Sequence, residues 1–247
     1  MRFQDHFSRQ AATYAQSRPT YPVALYDELA RLAPSRGLAW DCGTGNGQAA
    51  VALAAHFQRV IATEPSEAQL AEAVPHARVV YLRSAELAPT VRDGTVDLVT
   101  AAQAAHWFDR PKFYAEARRV LRPGGVVALW SYWLARVTPE IDRVFDRFYN
   151  ETTGPYWPPE RVHVENRYRD FEFPFEELPF PPLLITRQWT VDELAAFLES
   201  WSAVARYRQA RGADPIPAVR EELRALWGEG RRTVTWEMFG RLGRVTR

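Results

Sequence analysis

The chain has 247 residues, enough for one large α/β domain or for a core domain with a small cap. Apolar residues make up 47% and charged residues 25%, and the formal charge of +1 removes any bulk electrostatic case for a nucleic-acid partner. The single cysteine, Cys42, excludes an internal disulfide and a thiol-rich metal site, and no apolar run approaches membrane-spanning length.

The N-terminal stretch "MRFQDHFSRQ" is charged and lacks an apolar h-region, so a cytoplasmic setting with no membrane partner is expected. Residues 5–17 read as a helix, with Phe7, Ala11 and Tyr14 on one face and Pro19 stopping it. A second helix opens at Pro22 and carries Val23, Tyr26, Leu29 and Leu32. The turn "PSRG" then leads into a strand over Leu38–Cys42.

From there strands and helices alternate. "QAAVALAAHF" is a helix, "RVIATE" a strand, "SEAQLAEAV" a helix and "ARVVYL" a strand. "TVDLVTAA" is a strand, "PKFYAEARRVL" a helix and "GGVVALWSYW" a strand. This order implies a mostly parallel sheet with helices on both faces, and uniformly apolar strands suit burial on both faces.

The texture changes after Leu134. "GPYWPPE" and "FEFPFEELPFPPL" are dense in proline and aromatics, which suits a cap better than a central strand. "LLITRQWT" reads as a returning strand, "VDELAAFLESWSAVARYRQ" as one long helix and "PAVREELRALWG" as another. "RRTVTWEMFGRLGRV" closes the sheet. The expected segments are 1–34 as an N-terminal helical lid and 35–134 as a ligand-binding core. Residues 135–180 form a cap insertion, and 181–247 complete the sheet.

The chemistry is concentrated in "AWDCGTGNGQ". Gly43, Gly45 and Gly47 follow the first strand, at the turn where ligands of open α/β sheets bind. A phosphate-binding P-loop would need a lysine that is absent here. A dinucleotide fingerprint would need a small residue where Gln48 stands. The spacing D-x-G-x-G-x-G suits a ligand without a pyrophosphate, and it sets Asp41 at the strand end, within reach of an ammonium or a water. Glu64 ends the next strand, where a carboxylate can accept two hydrogen bonds from a ribose diol, at roughly 1.5–3 kcal/mol each. After the third strand, Ala85 and Glu86 can meet an adenine edge.

In order along the chain, "WDCGTGNGQ", "IATEPSEAQL", "SAE", "VDLVTAAQAAHWFD" and "RRVLRPGGVVALW" resemble the motifs of class I S-adenosylmethionine-dependent methyltransferases. The resemblance covers about residues 3–131. "SRPTYP", "HWF" and "GPYWPPE" are similar to a small-molecule branch that includes trans-aconitate methyltransferase-like and quinone-pathway enzymes. It implies a Rossmann-like α/β fold with a seven-stranded, mostly parallel sheet whose last strand is antiparallel, and an inserted helical and aromatic cap. It also implies that Gly43, Thr44, Gly45, Gly47 and Gln48 line the methionine part of S-adenosylmethionine. Glu64 with Pro65 would take the ribose, Ala85 with Glu86 the adenine, and Gln103 the inner wall. Tyr14 and Arg18 lie in a segment this family folds over the cofactor, where a bidentate arginine would suit the methionine carboxylate.

The expected reaction is methyl transfer to a small molecule at oxygen, either a carboxylate or a hydroxyl. Carbon of a quinone-like ring is one alternative, and a cofactor-binding protein without turnover is another. His106 is the candidate base or neutral pocket donor, and Trp107 and Phe108 are wall. Tyr156, Trp157, Trp201 and Tyr207 are candidates for the acceptor pocket. The histidines at 6, 56, 76, 106 and 163 show no metal-ligand spacing, so no metal is expected.

Overall fold

The computed structural model describes residues 18–246. The helix expected over 5–17, with Tyr14, lies outside them. Helix α1 runs Val23–Leu32 directly after Pro22, and buries Leu25, Tyr26 and Leu29. The alternating part follows in the expected order: β1 (Leu38–Cys42), α2 (Gln48–Leu53), β2 (Arg59–Glu64), α3 (Glu67–Ala71) and β3 (Val79–Arg83), then β4 (Val96–Ala102), α4 (Arg110–Val120) and β5 (Leu121–Tyr132). Two of the helix starts in this alternating part are capped by side chains, Ser66 accepting from the Gln69 N–H and Asp109 from the Lys112 N–H.

The remaining elements are α5 (Pro139–Arg147), α6 (Arg161–Glu165), β6 (Glu176–Leu178), β7 (Leu184–Trp189), α7 (Val191–Glu199), α8 (Ser202–Arg211), α9 (Ile216–Trp227) and β8 (Arg232–Arg244). The sheet order is β3-β2-β1-β4-β5-β8-β6, with β7 also paired to β8. The pairs β3–β2, β2–β1, β1–β4 and β4–β5 are parallel, and β8 runs antiparallel to its neighbours. The sheet has eight strands where seven were expected. The extra pairing arises because β8 is 13 residues long. Its second half bridges β5 and β6 while its first half holds β7. β6 emerges from the proline-rich stretch because three residues at a sheet edge escape the flanking prolines.

Side-chain alternation divides the core between the two faces. Along β5, Val126, Ala128 and Trp130 pack with α1, α2, α7 and α9, whereas Val127 and Leu129 pack with α4 and with Val164, Tyr168 and Phe171 of the cap. The helix expected from Val191 through Gln209 is broken at Ser200–Trp201. The Ser200 hydroxyl donates back to the Phe197 carbonyl, and Trp201 turns into a ring cluster with Phe145, Tyr149 and Trp157. A serine bonding its own helix backbone is a stop that contains neither glycine nor proline.

Candidate active site

The carboxyl ends of β1 to β5 converge on one edge of the sheet, and every loop carrying a candidate residue of the core opens there. The first is the glycine loop, in which Gly43, Gly45 and Gly47 have φ of 67°, 58° and 85°. A Cβ at Gly47 would lie 2.1 Å from the Tyr81 hydroxyl, and one at Gly43 would lie 2.7 Å from the Ala104 Cβ. At Gly45 the nearest atom would be Gln69 Oε1 at 3.7 Å, so this is the open side of the loop. Gln48 begins α2 and donates to the Pro19 carbonyl at 3.3 Å, tying the segment around Arg18 to the loop.

The register between β1 and β4 sets Asp41 opposite Thr100. The Thr100 hydroxyl donates to Asp41 Oδ1 at 2.7 Å, and the Thr44 hydroxyl donates to Oδ2 at 2.5 Å. Asp41 is fully buried. Burial pushes its pKa up to about 6, against the pull of the two hydroxyls. The carboxylate that the sequence offers to an ammonium or a water is therefore already engaged by two threonines.

Glu64, at the end of β2, is also buried. Its Oε2 accepts from the Gly45 N–H at 3.0 Å and its Oε1 from the Ser66 N–H at 3.0 Å. Two backbone donors thus fix the plane of the carboxylate beside the open side of the glycine loop, and Pro65 links Glu64 to the second of them. A fixed acceptor pair next to bare backbone fits an adenosyl group, whose ribose offers two adjacent hydroxyls.

Beyond β3, the Ala85 carbonyl turns inward and accepts from Cys42 Sγ and from the Thr63 hydroxyl, each at 3.5 Å. Glu86 reaches the start of α4, accepting from the Asp109 N–H at 3.2 Å with Lys112 Nζ 3.8 Å away. It closes the loop after β4 onto the end of β3.

That loop leads into a cleft. Gln103 takes φ of 56°, rare for a residue with a side chain, and its Oε1 accepts from the Ser131 hydroxyl at 2.7 Å. Gln103, His106, Trp107, Trp157, Trp201 and Arg18 all line this cleft. The Arg18 guanidinium donates to the Tyr132 hydroxyl at 2.9 Å and to the Ser200 carbonyl at 3.3 Å, over the Phe197 ring. Tyr156 and Tyr207 stand outside it, packed edge to face on each other, with Arg211 donating to the Tyr156 hydroxyl. Phe108 lies between Phe113 and the glycine loop.

His106 is buried, and its Nδ1 is 3.0 Å from the Tyr168 hydroxyl. Burial, then the positive charge of Arg161, His163, Arg18 and Arg110, holds its pKa well below the usual histidine value. At neutral pH it is an uncharged imidazole.

Sequence reading missed Tyr168 and Arg161. Tyr168 reaches His106 because Arg167 and Tyr168 both adopt left-handed φ, 55° and 59°, with no glycine to signal the turn. The Arg241 guanidinium holds the turn by donating to the carbonyls of Tyr168 and Phe171. Arg161 lines the cleft from the cap. Nothing in "PPERVHVENRY" marks either role.

A methyltransferase-domain family profile matches residues 40–129. A Dictyostelium discoideum protein bearing a provisional methyltransferase name is 37% identical over 226 residues, covering 90% of this chain and 86% of that one. A solved structure from Anaeromyxobacter dehalogenans, provisionally called a type II methyltransferase, is 48% identical. It matches with a TM-score of 0.86 over 92% of this chain and 97% of that one. A structure from Anabaena variabilis, provisionally called a methyltransferase of an antibiotic biosynthesis pathway, shares the fold at 21% identity. Its TM-score is 0.57, over 89% of this chain and 98% of that one.

The chain belongs to the class I S-adenosylmethionine-dependent methyltransferases. No described helix is long and apolar enough to cross a membrane.

Proposed function

We propose that the protein methylates an oxygen of a small molecule, and that this oxygen belongs to a carboxylate. The observation carrying this reading is the want of a charged base. Among the described residues lining the cleft there is no aspartate, glutamate, cysteine or lysine, and the histidine there is buried and held uncharged. A hydroxyl or a carbon acid must lose a proton during transfer, and a histidine whose pKa lies well below its usual value is a weak base for that. A carboxylate arrives ionised and needs none.

When bound, S-adenosylmethionine supplies a methyl group already activated on a sulfonium. Gly43, Thr44, Gly45, Gly47 and Gln48 would surround its methionine part. Glu64 beside Pro65 would hold the ribose diol, and Ala85 with Glu86 the adenine edge. Arg18 would take the methionine carboxylate. Gln103 and the rings of Trp107, Trp157 and Trp201 would orient the acceptor and exclude water. Orientation of this kind contributes about 7–11 kcal/mol in favourable cases.

Two measurements test this reading. S-adenosylhomocysteine should raise the melting temperature while NAD should not, and Glu64→Ala should weaken the first effect. Incubation with S-adenosylmethionine and a metabolite extract should then give products one CH₂ heavier, their acid group esterified. Stabilisation by NAD, or insensitivity to Glu64→Ala, would overturn the cofactor assignment. Products methylated at carbon or at a hydroxyl, with turnover abolished in His106→Ala, would overturn the acceptor.

A further inference from the structure

The cap contributes one cation to the cleft, Arg161, and its setting is unlike that of the surface arginines. Arg147, Arg167 and Arg208 each lie against a glutamate. The Arg161 guanidinium lies instead among three aromatic faces, 4.6 Å from the Trp157 ring centroid, 5.2 Å from Tyr149 and 5.7 Å from Trp133. Its Nε donates to the Tyr149 hydroxyl at 2.8 Å, and that hydroxyl donates in turn to Glu165 at 2.6 Å. Burial, foremost, raises the Tyr149 pKa, so the hydroxyl keeps the proton it donates.

This relay fixes the inner edge of the guanidinium through a neutral hydroxyl. Among the described residues no carboxylate pairs with Arg161 and no acceptor receives from its terminal nitrogens. The fork is thus oriented and stacked, and a described carboxylate reaches it only through the Tyr149 hydroxyl. The guanidinium faces a cleft whose described lining residues include no acid. Stacked arginine with a free fork matches the plane and the two oxygens of a carboxylate. The charge of Arg161 also reaches His106, where, after burial, it helps hold the imidazole uncharged.

We propose that Arg161 anchors a carboxylate of the methyl acceptor, at a group separate from the oxygen that is methylated. An oxygen paired with a guanidinium gives up nucleophilicity, so anchor and acceptor atom are distinct. The anchor rests on the methyltransferase reading for the word acceptor. The anion site itself is testable without turnover.

Succinate, glutarate and benzoate should be titrated calorimetrically against the protein, with and without S-adenosylhomocysteine. Succinamide, benzamide and inorganic phosphate serve as comparisons. Emission of the protein's tryptophans gives a second readout, since Trp133 and Trp157 flank the guanidinium. At least one carboxylate should saturate, and its amide should bind at least roughly tenfold more weakly. Arg161→Gln should weaken the carboxylate by a similar factor, and Arg161→Lys by less. S-adenosylhomocysteine affinity and melting temperature should stay near wild type in both variants, which separates a lost anchor from a lost fold.

Equal carboxylate binding by Arg161→Gln, equal binding of the amides, tighter binding of phosphate, or no saturable carboxylate at all would each overturn the anchor. Carboxylate binding that depends on Arg161, in a protein that fails to bind S-adenosylhomocysteine, would keep the anion site and overturn the methyltransferase reading.

Discussion

The Tyr168 hydroxyl lies 3.0 Å from Nδ1 of His106, so a fully buried cap residue holds the histidine of the cleft from 62 positions further along the chain. The ring of Tyr168 is stacked on Phe171 at 4.5 Å, and Tyr168→Phe keeps that stack while removing the hydroxyl. A loss of about 1 kcal/mol of stability is expected in denaturant melts. Because Tyr168 acts on the cleft through His106, Tyr168→Phe should change turnover in the same direction as His106→Ala, and by no more. With a carboxylate acceptor both changes should be modest. A larger loss in Tyr168→Phe would mean that Tyr168 itself contacts the acceptor.

Asp41 carries a signed pH dependence. Its folded pKa, about 6, lies above the ordinary value of 3.8. Between those values the folded chain binds a proton that the unfolded chain has released, so this group's contribution to stability falls as pH rises through about 6. Asp41→Asn escapes the penalty. It should raise stability at pH 8 by up to roughly 3 kcal/mol, and the gain should shrink as pH falls below about 6. Melting temperatures of both proteins from pH 5 to pH 8 read this directly. A gain independent of pH would show that Asp41 is not the titrating group.

The glycine loop separates strain from ligand contact. Gly47→Ala combines a positive φ with a collision against the Tyr81 ring, and should cost about 2 kcal/mol or more. Adding Tyr81→Leu should return part of that loss and leave the backbone strain. Gly45→Ala meets only Gln69 Oε1, at an ordinary contact distance of 3.7 Å, so its stability cost should be limited to about 1–2 kcal/mol of backbone strain. S-adenosylhomocysteine affinity should nevertheless fall, because the new methyl group occupies the open side of the loop. Calorimetry and melts on the three variants distinguish the two effects.

Arg18 tests the methionine end. Arg18→Lys should weaken S-adenosylmethionine, because an ammonium cannot reproduce two parallel bonds to a carboxylate. Adenosine, which lacks that carboxylate, should bind both proteins alike. An equal loss for adenosine would assign Arg18 to support of Tyr132 and Ser200, which it contacts in the fold.

Much of the core is legible in the chain because its signals are local. An apolar strand, three glycines and a short helix fix the loop after β1, and the next strand must end at Glu64. The pairing of Asp41 with Thr100 is a matter of register between strands 59 positions apart, which no local pattern encodes. The helix break at Ser200 carries no glycine or proline, because the stop is a hydroxyl bonded back to Phe197. Tyr168 and Arg161 are hidden for another reason. One depends on a left-handed turn without glycine, and the other on rings from residues 133, 149 and 157 meeting around a single guanidinium.

Strand β8 has a consequence for how the molecule is made. β6 and β7 pair with it alone among the described strands, and both precede it in the chain. A nascent chain therefore carries two finished strands with bare edges until residues 232–244 emerge. Closing β5 onto β8 then joins positions as distant as Val126 and Arg244. Such late, long-range closure slows folding, and until it happens β6 and β7 are the exposed edges of the growing chain.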